Sequence, residues 1–595
     1  MGTGGMRLKR LIRAVWLSLK THGFWRTCKK ILIKVIKKLK GKRNVPYTLS
    51  HKERQRQSSY IFPIDIKFSI LVPLYNTPEQ FITQLITSVK SQTYTRWELC
   101  LADGSDDVHA YVCKLCTKAS EADNRILYKK LDRNLGISGN TNCCIEMSTG
   151  DYIGLLDHDD ILHPAALFEV MKAISEKNAD FIYTDENTFK KKSKDAYCPN
   201  FKPDFSPDML RSLNYICHFT VFSRQLLEKV GMFRSRFNGS QDYDMVLRLT
   251  EAAQIIVHIP KVLYYWRASE SSVAADVSIK PYTIEAAKAA LAEHLERVGL
   301  IGTVDDSRVP STYRIRYEIK GEPLISIMIP NKDHVADIKK CIDSIFELTS
   351  YRKFEIVIIE NGSTEAETFA YYEKLREYGN IQVVEWSGSF NFSAINNFGF
   401  KYTHGEYVLM LNNDIVVITP DWLQEMLMFA QRKDVGAVGA MLYYPDDTIQ
   451  HAGVIVGLGG VAGHSHKEFK KDEVGFMYRA AIAQNLSAVT AACMMVPRKV
   501  YEKMHGLDEL FEVAFNDVDL CMRIRKAGYL IVFTPYAELY HFESKTRGFE
   551  DTAVKRKRFE NEVLRFKDRW KAELEAGDPY YNPNLTLDSE DFAAR

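Results

Sequence analysis

Apolar residues along the chain form a repeated order of short buried runs and amphipathic stretches. Residues 68–76 (FSILVPLYN) are an apolar run closed by proline and polar residues, and residues 325–332 (ISIMIPNK) repeat that run. Each is followed by apolar residues at helical spacing and then by a second apolar run, WELCLAD at 97–103 and FEIVIIE at 354–360. Strand, helix and strand at short spacing predict a βαβ unit, and hence an α/β fold with a mostly parallel sheet covered by helices.

The repeat has an offset of about 257 residues and divides the chain into regions. A helix over 283–298 separates the two copies from one another. The predicted regions are a leader (1–52), a first α/β domain with this trailing helix (66–300), an extended connector (301–323), a second α/β domain (324–550) and a C-terminal helix and cap (551–595).

The overall charge balance conceals a strongly basic leader. The chain has 79 Lys+Arg and 76 Asp+Glu, but residues 1–52 contain 15 basic residues and no acidic one. Their apolar residues recur at helical spacing, with Trp16, Phe24 and Trp25 among them. Cationic amphipathic helices with aromatic residues lie in the membrane interface. We therefore expect the leader to bind an anionic membrane surface; a helix packed on the body is the alternative, and nucleic acid is not an expected partner.

Composition and cysteine usage narrow the class of protein further. Apolar residues make up 46% and charged residues 26%, which is typical of a globular protein. The sequence contains no run of 18 apolar residues, so no transmembrane helix is predicted, and no secretory signal is predicted either. Eleven cysteines without regular spacing favour a reducing compartment. Together with the basic leader, these features predict a peripheral protein on the cytoplasmic face of the cell membrane.

In the first copy, acidic residues stand where predicted strands end. Asp103 ends the second strand before Gly104, and a carboxylate there can accept the imide N–H of a pyrimidine; a plain turn is the alternative. The strand over 152–156 ends in DHDD at 157–160. Three acids within four residues repel one another unless a cation is bound, and Mg²⁺ or Mn²⁺ is held by such carboxylates together with substrate phosphates. A solvated acidic turn is the alternative.

The second copy repeats these features with fewer acids. It has LMLNND at 409–414, in which only Asp414 is charged. A third shared element is SQDYD at 240–244 and FNDVD at 515–519, each followed by apolar residues at helical spacing. One such acid could be a helix N-cap, but two at matching points favour more than a capping role.

This order of motifs resembles the GT-A fold of family 2 glycosyltransferases, over about 66–270 and 324–550. The tandem arrangement resembles bacterial two-domain enzymes that build rhamnose-containing and other surface polysaccharides. The motifs that carry the tandem resemblance are FKPD at 201–204, HAG at 451–453, GH at 463–464, YHFES at 540–544, RG at 547–548 and DPYYNP at 578–583.

The resemblance implies a role for each of the strand-end residues. Asp242 and Asp517 would be the general bases that deprotonate the acceptor hydroxyl. Asp159 in the first copy, and Asp414 with His541 in the second, would bind the metal. The residues implied to contact the nucleotide sugar are Pro73, Tyr75, Asp103, Asp157, Asn361 and Asn413.

Both copies depart from the pattern of the family. Tyr265 stands where relatives often have a histidine that can contact the metal or the diphosphate, so the first copy departs from the family pattern in binding these groups. In the second copy, Asn412 replaces the first acid of the metal motif and Asn361 replaces the base-pocket aspartate. Neither departure removes a candidate base, so two active sites are expected. The second copy also has 103 positions between Asp414 and Asp517, against 83 between Asp159 and Asp242, and its extra Gly-rich stretch at 457–463, with His464 and His466, is expected to be an acceptor-side loop.

The expected function is that of an inverting glycosyltransferase dependent on Mg²⁺ or Mn²⁺. A single carboxylate base and a metal-stabilised diphosphate leaving group fit one displacement, which inverts the anomeric centre. The resemblance favours L-rhamnose transfer from dTDP-rhamnose to a lipid-linked surface glycan, with a UDP-sugar as the second choice of donor. The alternatives are a bifunctional UDP-sugar polymerase, or a glycan-binding scaffold in which one or both domains are inactive.

Overall fold

The computed structural model describes residues 47–268, 281–542 and 552–595. The amphipathic helices predicted in the leader fall almost wholly outside these residues. Within the described ranges, no helix is both long enough and apolar enough to cross a membrane.

The first large sheet is formed by residues 68–267. Its strands are β1 (Phe68–Leu74), β2 (Trp97–Asp103), β3 (Ile126–Lys130), β4 (Tyr152–Leu155), β5 (Ile161–Leu162), β6 (Phe181–Phe189), β7 (Cys198–Asn200), β8 (Thr220–Ser223) and β9 (Ile256–Arg267). They run in the order β3-β2-β1-β4-β8-β6-β9-β5, with β7 paired to β6. The accompanying helices are α1 (His51–Ser58), α2 (Glu79–Lys90), α3 (Tyr111–Ala122), α4 (Gly136–Met147), α5 (Ala166–Lys177), α6 (Pro207–Ser212), α7 (Arg224–Val230), α8 (Gln241–Ala252) and α9 (Pro281–Arg297).

Between the sheets lies a hairpin of β10 (Gly302–Asp306) and β11 (Tyr313–Tyr317), where the sequence predicts an extended connector. The alternation of residues 313–317 (YRIRY) explains it, because Tyr313, Ile315 and Tyr317 are buried while the two arginines point away from the core. The hairpin packs on helices of both copies.

The second large sheet repeats the first. Its strands are β12 (Ile325–Asn331), β13 (Phe354–Glu360), β14 (Ile381–Glu385), β15 (Tyr407–Leu411), β16 (Ile415–Val417), β17 (Val435–Tyr443), β18 (Ile449–His451), β19 (Val454–Val456), β20 (Ala462–His464), β21 (Gln484–Leu486), β22 (Cys493–Pro497) and β23 (Leu530–His541). The order is β14-β13-β12-β15-β22-β17-β23-β16, while β19 and β20 form a separate hairpin. The helices are α10 (Val335–Leu348), α11 (Ala366–Leu375), α12 (Phe392–Phe400), α13 (Trp422–Ala430), α14 (Arg498–Lys503), α15 (Asn516–Lys526), α16 (Ala553–Arg569) and α17 (Lys571–Ala576).

The predicted βαβ units are confirmed. Strands β1 and β2 are buried at all seven positions each, because helices cover both faces of the sheet. They pair in parallel so that Leu74 lies beside Asp103, and β12 pairs with β13 so that Asn331 lies beside Glu360. The carboxyl ends of these strands therefore meet at one edge of each sheet, which is where α/β sheets bind ligands.

A buried polar network joins the two copies. Asp208 of α6 pairs with Arg432, which follows α13, and with Arg211, and it accepts a hydrogen bond from the Asn485 amide. Burial alone would raise the pKa of Asp208, but the charges of Arg432 and Arg211 outweigh it and lower the pKa to about 2. Removing one partner of such a buried pair leaves an uncompensated charge, so the network fixes how the copies meet.

The segment at 578–595 contacts both copies. Asp578 accepts hydrogen bonds from the Ser487 hydroxyl and the Val456 backbone N–H of the second copy. Asn582 donates to Asp185 and to the Lys202 carbonyl of the first copy. Residues predicted to be a cap are thus a clamp between the copies.

Candidate active sites

A cavity of about 680 Å³ opens at the carboxyl edge of the second sheet. The ends of β12, β13, β15 and β23 line it, together with the start of α15 and the β19–β20 hairpin. The second-copy residues that the sequence singles out all lie on its wall, namely Asn361, Asn413, Asp414, Asp517 and His541.

Asp414 and His541 form the part of this cavity that fits a cation. The amide Nδ2 of Asn412, which can only donate, lies 3.1 Å from His541 Nε2, so that nitrogen presents a lone pair. Asp414 Oδ1 lies 3.2 Å from the same nitrogen. This buried oxygen accepts no hydrogen bond from any residue in the described part of the chain. A buried carboxylate oxygen without a hydrogen-bond partner, next to an imidazole nitrogen, is a donor pair that fits a divalent cation.

At the start of α15, the two acids of the Asp-x-Asp motif have different environments. Asp517 is half-buried on the cavity wall and accepts hydrogen bonds from the backbone N–H groups of Ala491 and Val518. Asp519 is fully buried behind it and is held by Arg523 and Arg569. Only the first acid faces a ligand; the second fixes the helix.

A chain of polar side chains forms the floor of the cavity. Asn413 donates to Asn331, which donates to the Tyr372 hydroxyl, which in turn donates to Glu360. By strand register Glu360, and not Asn361, is the counterpart of Asp103. Asn361 follows one residue later and lies on the cavity wall.

In the first copy, Asp103 and its neighbours at the strand ends are only partly accessible. Asp103 is fully buried, and its oxygens accept hydrogen bonds from the Ser105 N–H and the Tyr128 hydroxyl. Pro73 is buried within β1, whereas Tyr75, just beyond the strand, is 47% exposed. Asp103 therefore stabilises the turn after β2 directly, and Tyr75 is the group presented to solvent.

The acidic loop after β4 contributes to a candidate metal site that includes a residue the sequence did not indicate. Ligand atoms of Asp157, Asp160 and His218 all lie within 4.8 Å of one another. His218 Nε2 is 4.0 Å from Asp157 Oδ2, and its ring stacks on that of Tyr264. Two carboxylates and an imidazole are a donor set that fits a divalent cation.

Asp159, the metal ligand implied by the resemblance, lies outside this group of three. The loop is one residue longer in the first copy, so Asp414 corresponds to Asp159 when counted from β4 and β15, but to Asp160 when counted from β5 and β16. Asp160 is buried and accepts hydrogen bonds from the Tyr264 hydroxyl and the Arg267 backbone N–H, and burial raises its pKa. Burial likewise raises the pKa of Asp159.

Asp242 takes the position in the first copy that Asp517 has in the second. Its carboxylate accepts a hydrogen bond of 3.0 Å from the Asn214 amide. Burial raises the pKa of Asp242, although the charge of His218 acts in the opposite direction. Asp244 is fully buried against Arg234 and Arg248, so the second acid of the motif is structural in this copy also.

The two copies obtain their histidine from different places, the first from a loop and the second from the end of β23. Ile161 pairs with Tyr265 and Ile415 pairs with His541, so Tyr265 stands where His541 does, as the sequence predicts. Strand register also equates His218 with Ala492. The loop before β8 thus supplies the first copy with an imidazole. The pattern YICHFT at 215–220 resembles an ordinary strand and carries no local signal for that role.

Each copy is a mostly parallel sheet covered by helices, which is consistent with the GT-A fold of glycosyltransferases. The family model described as "Glycosyl transferase family 2" matches residues 69–231 and 326–504, more than half of the chain. The chain therefore belongs to glycosyltransferase family 2, and it is an enzyme of the glycosyltransferase class.

Similar proteins span both copies. The chain is 44% identical to the uncharacterized protein y4gI of Sinorhizobium fredii over 88% of its own length and 58% of that protein. It is 36% identical to the O-antigen biosynthesis protein RfbC of Myxococcus xanthus over 89% of its length and 41% of RfbC. It is 30% identical to chondroitin synthase of Pasteurella multocida over 40% of its length and 23% of that enzyme. The chain thus spans about half the length of the first two relatives.

Proposed function

We propose that the chain is an inverting, metal-dependent glycosyltransferase with two active sites, which extends a lipid-linked cell-surface polysaccharide. The observation that carries this proposal is the duplicated arrangement at the sheet edges. In each copy one aspartate at a helix start lies near candidate metal ligands, while the next acid is held by arginines.

Asp517 and Asp242 are the bases in this proposal. Backbone N–H groups and the Asn214 amide orient the two carboxylates, and each carboxylate keeps further lone pairs for an acceptor hydroxyl. A positioned base of this kind contributes roughly 10²–10⁴-fold to the rate. Since neither Asp519 nor Asp244 is accessible, no second carboxylate at these helix starts is placed to act as a nucleophile, which supports a single inverting displacement.

Asp414 and His541 would hold the cation in the second copy, and Asp157, Asp160 and His218 in the first. When bound, Mg²⁺ or Mn²⁺ stabilises the negative charge of the leaving diphosphate. An imidazole ligand in each set favours Mn²⁺, because nitrogen donors bind transition metals more readily than Mg²⁺.

The donor and the acceptor are inferred from likeness. The name of RfbC concerns O-antigen biosynthesis, which supports a surface polysaccharide as the product. The sequence resemblance favours dTDP-rhamnose as the donor, with a UDP-sugar as the alternative. The basic residues 1–52 support action on a lipid-linked acceptor at the cytoplasmic face of an anionic membrane.

A donor screen with native membranes tests the proposal. Labelled dTDP-rhamnose, UDP-sugars and GDP-sugars would each be incubated with the full chain and Mn²⁺, and both nucleotide release and label in the lipid fraction would be measured. Consumption of one donor with label in lipid is expected. Release of no nucleotide from any donor would favour the glycan-binding scaffold instead.

A second candidate is a polymerase that alternates two UDP-sugars. The partial likeness to chondroitin synthase supports it. In the same screen, two UDP-sugars together would then give far longer products than either one alone.

A further inference from the structure

A fully buried lysine lies behind the loop that carries the histidine of the first site. Lys202 belongs to the FKPD motif at 201–204, and its ammonium group is 3.3 Å from the carboxylate of Glu186. It also donates hydrogen bonds to the backbone carbonyls of Ile216, at 2.6 Å, and of His218. An ammonium group has three N–H donors, and these three acceptors use all of them. Lys202 therefore does not touch the substrate.

The backbone of Lys202 is fixed from two sides. Its N–H donates to the Asp185 carboxylate of β6 at 2.9 Å. Its carbonyl accepts a hydrogen bond of 2.8 Å from the Asn582 amide of the clamp. The ammonium group is thus attached to a rigid part of the molecule, and it holds the loop before β8 against that part.

The two carbonyls that Lys202 binds stand on either side of a strained residue. Cys217 has a φ of 41°, in the left-handed region that a residue with a β-carbon rarely adopts. Such a conformation persists only where the surrounding structure holds it. Without the ammonium group, we expect the loop to relax and to carry His218 away from Asp157 and Asp160.

The same loop serves both parts of the first site. Asn214 at its start donates a hydrogen bond of 3.0 Å to Asp242, the candidate base. His218 at its end supplies the imidazole of the candidate metal site. The position of this loop therefore bears on the base and on the metal ligands together.

We propose that Lys202 is a positioning residue of the first active site, which fixes the loop at 214–218 so that His218 reaches the bound cation. This rests on the proposed function, because it needs the candidate metal site of the first copy. Lys202 acts through His218. The competing explanation is that Lys202 only neutralises the buried charge of Glu186.

A double-mutant cycle on Mn²⁺ binding tests whether Lys202 acts through His218. The full chain carrying His541→Ala, which weakens the second site, is titrated with Mn²⁺ alone by calorimetry. Lys202→Met should weaken binding at the first site about tenfold, the lower end for a group that supports a metal ligand. In a chain that also carries His218→Ala, Lys202→Met should add little. The exposed Lys172→Met is the control and should bind as its parent does.

A second pair of variants separates positioning from charge balance. Lys202→Met leaves Glu186 buried without its cation and should lower stability, measured by urea unfolding. Adding Glu186→Gln removes the second charge, so part of the stability should return while the Mn²⁺ affinity stays low.

Three results would overturn the proposal. They are unchanged Mn²⁺ affinity in Lys202→Met, an equal loss of affinity with and without His218, and recovery of Mn²⁺ affinity together with stability in the variant that also carries Glu186→Gln. Unchanged affinity in Lys202→Met alone leaves the proposed function standing. If the parent chain binds no Mn²⁺ at the first site, the proposed metal site fails as well.

Discussion

The two copies have the same sheet topology, but their sites differ in charge. The second site is rich in amides and has one aspartate and one histidine facing each other at 3.2 Å. The first has a cluster of acids, a histidine from another strand and the buried Arg267, whose Nε donates to the Asp159 carbonyl. The two copies therefore keep the candidate bases at matching positions, while the charged groups around these aspartates differ.

Replacing each candidate base in turn is the strongest test of whether the two copies use matching aspartates. Asp517→Asn should lower the second transfer by roughly 10²–10⁴-fold, and Asp242→Asn should do the same to the first transfer, since an amide cannot accept the proton. Each step is assayed with an acceptor specific for it. Full activity in both variants would contradict the assignment.

The neighbouring acids should behave in the opposite way. Asp519→Asn removes the carboxylate that Arg523 and Arg569 share, which should destabilise the protein by about 3 kcal/mol, near the lower end for a buried pair because both arginines reach solvent and Arg569 also pairs with Asp508. Urea unfolding measures the change. Asp517→Asn is the matched control and should lose clearly less stability, because the amide oxygen still accepts one of the two backbone hydrogen bonds. Equal loss in the two variants would show that Asp519 is not a structural anchor.

Replacing the candidate histidine ligands tests whether the two copies bind the metal through different histidines. His541→Ala should weaken Mn²⁺ binding at the second site by at least about tenfold, and His218→Ala should do so at the first, as each removes a ligand. Calorimetric titration with Mn²⁺ measures both without turnover. Tyr265→His, which places an imidazole where the second copy has His541, should partly restore Mn²⁺ affinity to His218→Ala. If His218→Ala titrates with Mn²⁺ as the wild-type chain does, His218 is not a ligand, and Asp159 is again the candidate ligand of the first site.

The smallest expected effect concerns a titrating group present only in the first copy. His258 lies between Asp185 and Asp204, and although burial alone would lower its pKa, Asp185 first and Asp204 next raise it above 6.5. Because the folded-state pKa is raised, the protonated form stabilises the fold below about pH 6.5, and this contribution is lost as pH rises through the higher folded-state value. The second copy has the apolar Phe533 at the corresponding strand position.

Replacement of His258 by Gln should therefore flatten the fall in stability above pH 6.5, because Gln cannot carry the charge that Asp185 and Asp204 stabilise. Denaturant midpoints between about pH 6 and about pH 9 measure it, with His404→Gln as the control. If the stability of His258→Gln changes with pH in the same way as that of the wild-type chain, groups other than His258 cause the pH dependence.

Local patterns predicted most of the fold and the candidate residues of the second site. Apolar runs and helical spacing are short-range properties, so the βαβ units and both helix starts could be located from the sequence. The site residues it missed depend on long-range contacts or on single insertions. His218 meets Asp157 from 61 positions away, and an extra residue between β4 and β5 blurs whether Asp159 or Asp160 matches Asp414. Motif matching preferred Asn361, whereas strand pairing selects Glu360.

The clamp at 578–595 is the last part of the chain to be synthesised, although it contacts the first copy. Asn582 contacts Asp185 across 397 positions, so the first copy leaves the ribosome long before its buried carboxylate meets that amide. Until the clamp is synthesised, Asp185 lacks one of its partners, and Phe201 lacks the apolar cluster that the clamp forms. The first copy therefore completes its packing only after the second copy has been translated, and premature release would leave its interior open to chaperones and proteases.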